Sequence, residues 1–302
     1  MYTDLIEEYQ GQFAHGRSVE DLVGLADELP PMPDAVARAI RLVDNPDATT
    51  EEIADAIMLD PTLAWPILRF ANSAQHGQQQ EVTTMPVAVQ VVGLARVRTI
   101  LITSALRRWN RAFGPVERLV WDKSLGAASS AFILCGRLKK NYRDELYLTG
   151  LLHNLGQIVL LSHREIRAMY PAVLARIAKH HEDFVTAERE VIGFSHPLVG
   201  ALVARKWELP FGTCQAILHY PEPFEGICGL EDEKLALLKL SVGLGLAAGL
   251  GKPEGHPVSV NTVEVEKLAA AVGFDPSLLQ ADFNVSLEET KSHFASESQT
   301  YG

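Results

Sequence analysis

His153 and Asn154 sit side by side in the apolar run LTGLLHNLGQIVLL, flanked by Gly150 and Gly156, which leave room for a neighbouring element to approach closely. His196 follows Gly193-Phe194-Ser195 at the opening of an expected helix, and His219-Tyr220 closes another. Imidazoles carried by separate helices can converge on a divalent cation, as they do in helical bundles. A hydrolytic metal centre also needs carboxylates to hold a hard ion and orient water. Here the neighbour of His153 is a carboxamide, a neutral and weak ligand, and no Asp occupies the apolar stretch from Leu235 to Leu250. Taken singly, each histidine reads first as a satisfied core or cleft residue. The chain has no phosphate-binding loop, nucleophile elbow or His-Glu-x-x-His motif. Gly243-x-Gly245 follows no expected strand, so it reads as helix packing rather than a dinucleotide loop.

Elements that would position these residues are helical. The chain has 302 residues, 47% apolar and 22% charged, the balance of a globular protein with a sizeable core. Apolar spacing predicts helices over 35–43, 50–58, 61–74, 87–92 and 95–109, then about 116–139, 144–161, 165–178, 182–191, 196–207, 211–219 and 231–250. Thr49-Thr50-Glu51-Glu52 is a capping box, and Asp60-Pro61 and Asp275-Pro276 are further helix openings. An earlier helix is expected over Val19–Glu28, one ending near Ala271, and a frayed polar tail over Ser292–Gly302. No alternating strand of convincing length is present. The expected class is all-α, with a seam between Trp109 and Val116.

The N-terminus lacks the apolar core of a secretory signal, and Leu235–Leu250 is too short and too charged, at Lys239, to span a bilayer. Cys135, Cys214 and Cys228 are odd in number and widely spaced, as thiols in a reducing compartment are. The cytoplasm is the expected location, with no membrane contact.

The net charge of −11 argues against broad binding of nucleic acid. Arg96 to Arg143, however, holds eleven basic and two acidic residues, so this segment is +9 and the rest of the chain −20. Either the basic helices pack against acidic ones or face water, or they form a docking surface for an acidic protein partner or a nucleotide. Arg96, Arg98, Arg107 and Arg108 would belong to such a face. Neither a helix-turn-helix pattern nor stacking aromatics accompany them, which disfavours nucleic acid.

Several long motifs resemble the HDOD domain, the HD-related output domain of bacterial signalling proteins. They are Leu25–Ala74, Val82–Leu106, VWDKSLGAASSA, LTGLLHNLGQIVLL, GFSHPLVGALVARKWELP and AILHYPEP, together covering roughly Asp21 to Leu250. The resemblance implies an N-terminal helical bundle packed on a degenerate HD-like helical lobe. It places an extension at 1–20, the N-terminal lobe at 21–112, the HD-like lobe at 113–250, and a C-terminal helical extension and polar tail at 251–302. In related metal-dependent enzymes the ligands are an early His, a His-Asp pair and a late Asp. The matching positions here are Lys123, His153-Asn154 and Ser241–Gly243, so the ligand pattern is degenerate. An inward ammonium at Lys123 would repel a second cation. The resemblance thus implies a non-catalytic regulatory protein without metal or cofactor, a stand-alone module meeting protein partners in trans. The competing reading is a metal-dependent phosphohydrolase of a nucleotide or cyclic dinucleotide, with His153, His196 and His219 lining its pocket and Lys123 as phosphate contact.

Overall fold

In the computed structural model, which describes residues 32–74, 82–109, 114–224, 226, 229–252, 262–274 and 279–301, regular structure is entirely helical among the described residues. The helices are α1 Asp34–Val43, α2 Thr50–Met58, α3 Pro61–Ala74, α4 Met85–Val92, α5 Leu94–Trp109, α6 Pro115–Arg137, α7 Arg143–Leu152, α8 Leu155–Ser162, α9 Arg164–His180, α10 Phe184–Ile192, α11 His196–Lys206, α12 Phe211–His219, α13 Leu230–Ala247, α14 Thr262–Val272 and α15 Leu279–Tyr301. The class is all-α. The expected N-terminal helix, Cys228 and the Asp275-Pro276 opening lie outside the described residues, while Cys135 and Cys214 are buried thiols.

The chain divides into two compact units. One is formed by Pro30–Arg111 together with Ala295–Gly302. In it, Val36, Ala39 and Ile40 of α1, Ile53 and Ile57 of α2, Leu63 and Ile67 of α3, and Val97, Ile100 and Leu101 of α5 are buried. Local signals start and stop these helices. The Thr49 hydroxyl accepts the Glu52 N–H at 3.2 Å, and the Glu52 carboxylate accepts the Thr49 N–H at 2.8 Å, the reciprocal capping box. The backbone bond from Thr49 also holds the Glu52 carboxyl below its ordinary pKa. Thr49→Ala should destabilise this unit by about 1 kcal/mol, read as a lower urea midpoint with an unchanged slope. Gly93, at φ +81°, ends α4 in a conformation that L residues rarely adopt.

The other unit includes Ala112–Phe294. Its long buried helix α6 packs against α7 and α13, while α8 packs on α11. Close backbone approaches set these crossings. A Cβ on Gly245 would lie 3.0 Å from the carbonyl carbon of Gly126, and one on Gly150 would lie 3.0 Å from the Ala128 backbone. Gly243, read from sequence as a packing residue, has open space around its would-be Cβ.

Two elements differ from the sequence expectation. The helix expected over 144–161 is broken into α7 and α8, with His153 and Asn154 between them. Asn154 adopts φ −98°, ψ 14°, outside the helical well. The tail expected to fray is helical through Tyr301, and Thr290 and Glu297 are buried within α15.

Candidate functional site

The break between α7 and α8 turns His153 and Asn154 into the interior, where both are fully buried. His153 Nδ1 lies 2.6 Å from the Gly150 carbonyl oxygen. A carbonyl can only accept, so Nδ1 carries the proton and Nε2 is a bare acceptor. That Nε2, both polar atoms of the Asn154 carboxamide, and Gln157 Oε1 on α8 have no hydrogen-bond partner among the described residues. Burial, reinforced by the Lys123 charge, drives the His153 pKa well below its ordinary value, so the ring is neutral.

The wall opposite is α11. A Cβ at Gly156 would lie 1.9 Å from the His196 carbonyl oxygen and 2.7 Å from the Gly200 N, so α8 meets α11 backbone to backbone. His196 opens α11 and is held at both nitrogens. Its Nδ1–H donates to Glu188 Oε2 at 2.6 Å, and its Nε2 accepts the Tyr220 hydroxyl at 2.5 Å. Glu188, on α10, also accepts the His196 backbone N–H at 2.8 Å, Gln157 Nε2 at 2.9 Å and the Tyr170 hydroxyl at 3.0 Å. Burial alone would raise the Glu188 carboxyl; the electrostatic pull of the His196 ring, whose N–H points at it, and these hydrogen bonds outweigh it and hold the pKa below its ordinary value. Burial lowers the His196 pKa despite Glu188, and raises both tyrosines well above theirs. The set is a fixed network of a carboxylate, a neutral imidazole and un-ionised phenols. The Tyr220 ring meets His153 edge-on, with centroids 5.0 Å apart.

Lys123 enters from α6. It is 7% exposed, with Nζ 5.1 Å from the Phe184 ring centroid and 6.0 Å from that of Tyr220. Burial lowers its pKa from 10.5 to about 8, partly countered by Glu188 and Asp183. A lysine depressed in the folded state makes the unfolded chain bind more protons between pH 8 and 10.5, so its contribution to stability rises with pH across that window. Lys123→Met should therefore be more stable than the parent at neutral pH, by about 1–3 kcal/mol. The difference should shrink as pH climbs through the window, as followed by urea denaturation at several pH values. A destabilised variant at neutral pH would refute this account of the buried charge.

Not every sequence-selected residue joins this centre. His219 pairs at half-exposed positions with Glu222 (2.9 Å) and with Gln215 (2.8 Å), while its neighbour Tyr220 points inward. Ser241 is buried but donates to Leu237 O in its own helix at 2.6 Å. Glu188, Gln157 and Tyr170 were not singled out by sequence. Spacing offered one clue: Glu188 precedes His196 by eight residues, just before the Gly193 turn.

A divalent metal does not fit this donor set. Two of the implied positions present an ammonium and a hydroxyl, a third presents a neutral carboxamide, and both nitrogens of His196 are engaged. Among the described residues, no group of three or more His, Cys, Asp or Glu could hold a metal ion.

Several residues of the basic segment have internal partners. Arg96 is buried, 2.6 Å from Glu297 and over the Phe70 ring at 4.6 Å, and Arg98 pairs with Asp44 at 3.1 Å. Arg137 pairs with Asp282 and Glu289, Lys140 with Glu233, and Arg143 covers Phe132 at 4.2 Å. Arg107 is half-buried, and the Arg108 side chain lies outside the description.

The lobe thus sets a histidine–asparagine junction beside a second buried histidine. The HDOD domain model matches residues 29–223, and the chain belongs to that family. It is similar to the crystal structure of an HDOD domain protein of unknown function from Geobacter sulfurreducens, with 25% identity and a TM-score of 0.70 over 92% of this chain and 98% of that one. A candidate signal transduction protein from Marinobacter aquaeolei VT8 shares the fold at 24% identity and a TM-score of 0.68, over 99% of this chain and 65% of that one. An uncharacterized protein of Treponema pallidum (strain Nichols) is 26% identical over 218 residues, 66% of this chain; the match spans 40% of that relative's length. No single helix among the described residues is long and apolar enough to cross a membrane.

Proposed function

We propose that the chain is a non-catalytic regulatory protein of the HDOD kind, acting in the cytoplasm through contact with a protein partner in trans. The observation that carries this reading is the composition of the buried centre: an ammonium, a carboxamide and a helix-bound hydroxyl stand where a hydrolytic site needs ligands. With the Glu188 carboxylate engaged by four donors, the described residues of this centre offer metal-assisted hydrolysis no carboxylate to hold a hard ion or orient water. Of the basic face, Arg96 and Arg98 are both paired inside their own unit, with Glu297 and Asp44. Such internal pairing withdraws basic groups from any contact with a nucleic-acid backbone.

Metal titration with Mn2+ and Zn2+ tests the reading, alongside turnover assays on nucleotides and cyclic dinucleotides. The expected result is less than about a tenth of an equivalent retained after dialysis, with no turnover. About one equivalent retained, together with metal-dependent hydrolysis, would establish the phosphohydrolase instead. A nucleotide held without hydrolysis would make the centre a sensor, and the unpartnered His153 Nε2 and Asn154 carboxamide are the groups it would satisfy.

A further inference from the structure

The exposed side of α2 changes character along its length. Glu51, Asp55, Met58 and Leu59 recur at the spacing of one helical face, while Ile53, Ala54, Ala56 and Ile57 are buried on the other. The exposed stripe therefore begins with two carboxylates and ends in apolar side chains. Met58 is 60% and Leu59 65% exposed, and Trp65, one turn into α3, adds a third large apolar surface at 55%. Arg69 lies 5.0 Å from the Trp65 centroid and covers one face of that ring. Lone exposed apolar residues are ordinary; three large ones within eight positions at a single helix corner are not. Tryptophan and methionine are also the types that contact surfaces favour.

Charge says what covers this corner. Glu51 and Asp55 form no ion pair with described residues, in contrast to Arg96 and Arg98 of the same unit, which are matched internally. Asp47, just before α2, is exposed and equally unpaired. Beside the apolar corner the carboxylates of Asp47, Glu51 and Asp55 thus outnumber the one guanidinium, Arg69, that lies over Trp65, so the local balance is negative, the reverse of what the sequence segregation suggested.

We propose that the α2–α3 corner docks a basic amphipathic helix of a partner protein, with its apolar side chains on Met58, Leu59 and Trp65 and its lysines or arginines along Glu51 and Asp55. This deepens the regulatory reading above, and rests on it for the existence of a partner. Helix-on-surface recognition of this kind uses apolar anchors at i, i+3, i+4 and i+7, with flanking charge setting orientation and salt dependence.

The probe is a helix-forming peptide of about 18 residues, with leucine at those anchor positions and lysine elsewhere; its leucine–glutamate counterpart is the control. Binding is followed by tryptophan emission, with Trp65→Phe identifying the responding ring. The expected result is saturable binding of the lysine peptide alone, with a blue shift that Trp65→Phe abolishes. Glu51→Lys/Asp55→Lys and Met58→Ser/Leu59→Ser should each weaken binding about tenfold, and added salt should weaken it further. All four positions are exposed, so unchanged melting temperatures are expected. Lack of saturable binding, or binding indifferent to both double variants, overturns the proposal. Preference for the glutamate peptide, lost in Arg98→Glu/Arg107→Glu, overturns it while supporting a partner at the basic face. A dimer that Met58→Ser/Leu59→Ser dissociates in sedimentation overturns it in favour of a second copy. The metal and turnover assays decide the regulatory reading separately.

Discussion

Gly156→Ala is expected to cost about 3 kcal/mol or more, although alanine is the better helix former by about 1 kcal/mol. The added carbon would lie 1.9 Å from the His196 carbonyl oxygen and 2.8 Å from its carbon, both backbone atoms. No rotamer change relieves such a contact; α8 and α11 must separate by about 1 Å or more, opening the packing they share. Gly243→Ala is the matched control. It lies in α13 with nothing within 4 Å of its would-be Cβ, and should be neutral or stabilising by about 0.5–1 kcal/mol. Urea denaturation of the pair separates backbone crowding from helix propensity. Similar stabilities for the two variants would show that the crossing yields more easily than its geometry says.

Glu188→Ala should lower stability by about 3–5 kcal/mol, a large part of what holds an ordinary domain together. The loss is not one contact. Removing the carboxylate leaves the His196 ring and backbone N–H, the Gln157 amide and the Tyr170 hydroxyl buried with donors and no acceptor. Its pH dependence has a definite sign. A carboxyl whose folded pKa is depressed contributes above its unfolded value near 4.5 and loses that contribution as pH falls through the folded one. The gap between parent and variant should therefore be widest near neutrality and close in acid below pH 4.5. A neutral-pH difference under about 1 kcal/mol would mean that the four donors find other partners.

Much of the fold was legible because its signals are local. The Thr49 capping box, the Gly93 stop and the bounds of α12 follow from side chains within a turn of the element they govern. The break at His153–Asn154 was not legible. Its surroundings are apolar without proline or charge, and helix propensity carries straight through. Tertiary packing sets the break, since Gly156 must seat against the His196 carbonyl. Glu188 escaped notice because a glutamate in AEREV reads as a solvated helix face, and its burial depends on partners from α8, α9 and α11. The same limit applied to His219, whose inward-facing neighbour is told from it only by the orientation of the α12 end. The last helix reads as polar because the partner of Glu297 lies 201 positions earlier. Charge segregation was real in the sequence, yet Arg96, Arg98, Arg137 and Lys140 close into ion pairs once the chain is folded.

The Arg96–Glu297 pair has a consequence for synthesis. The unit containing α1–α5 is completed by Ala295–Gly302, so its buried Arg96 guanidinium meets the Glu297 carboxylate only after 201 further positions have been made. While the ribosome adds the intervening residues, that unit lacks one charged partner of its buried guanidinium, and the later unit can fold before it. Assembly order along this chain therefore need not follow the order of its codons.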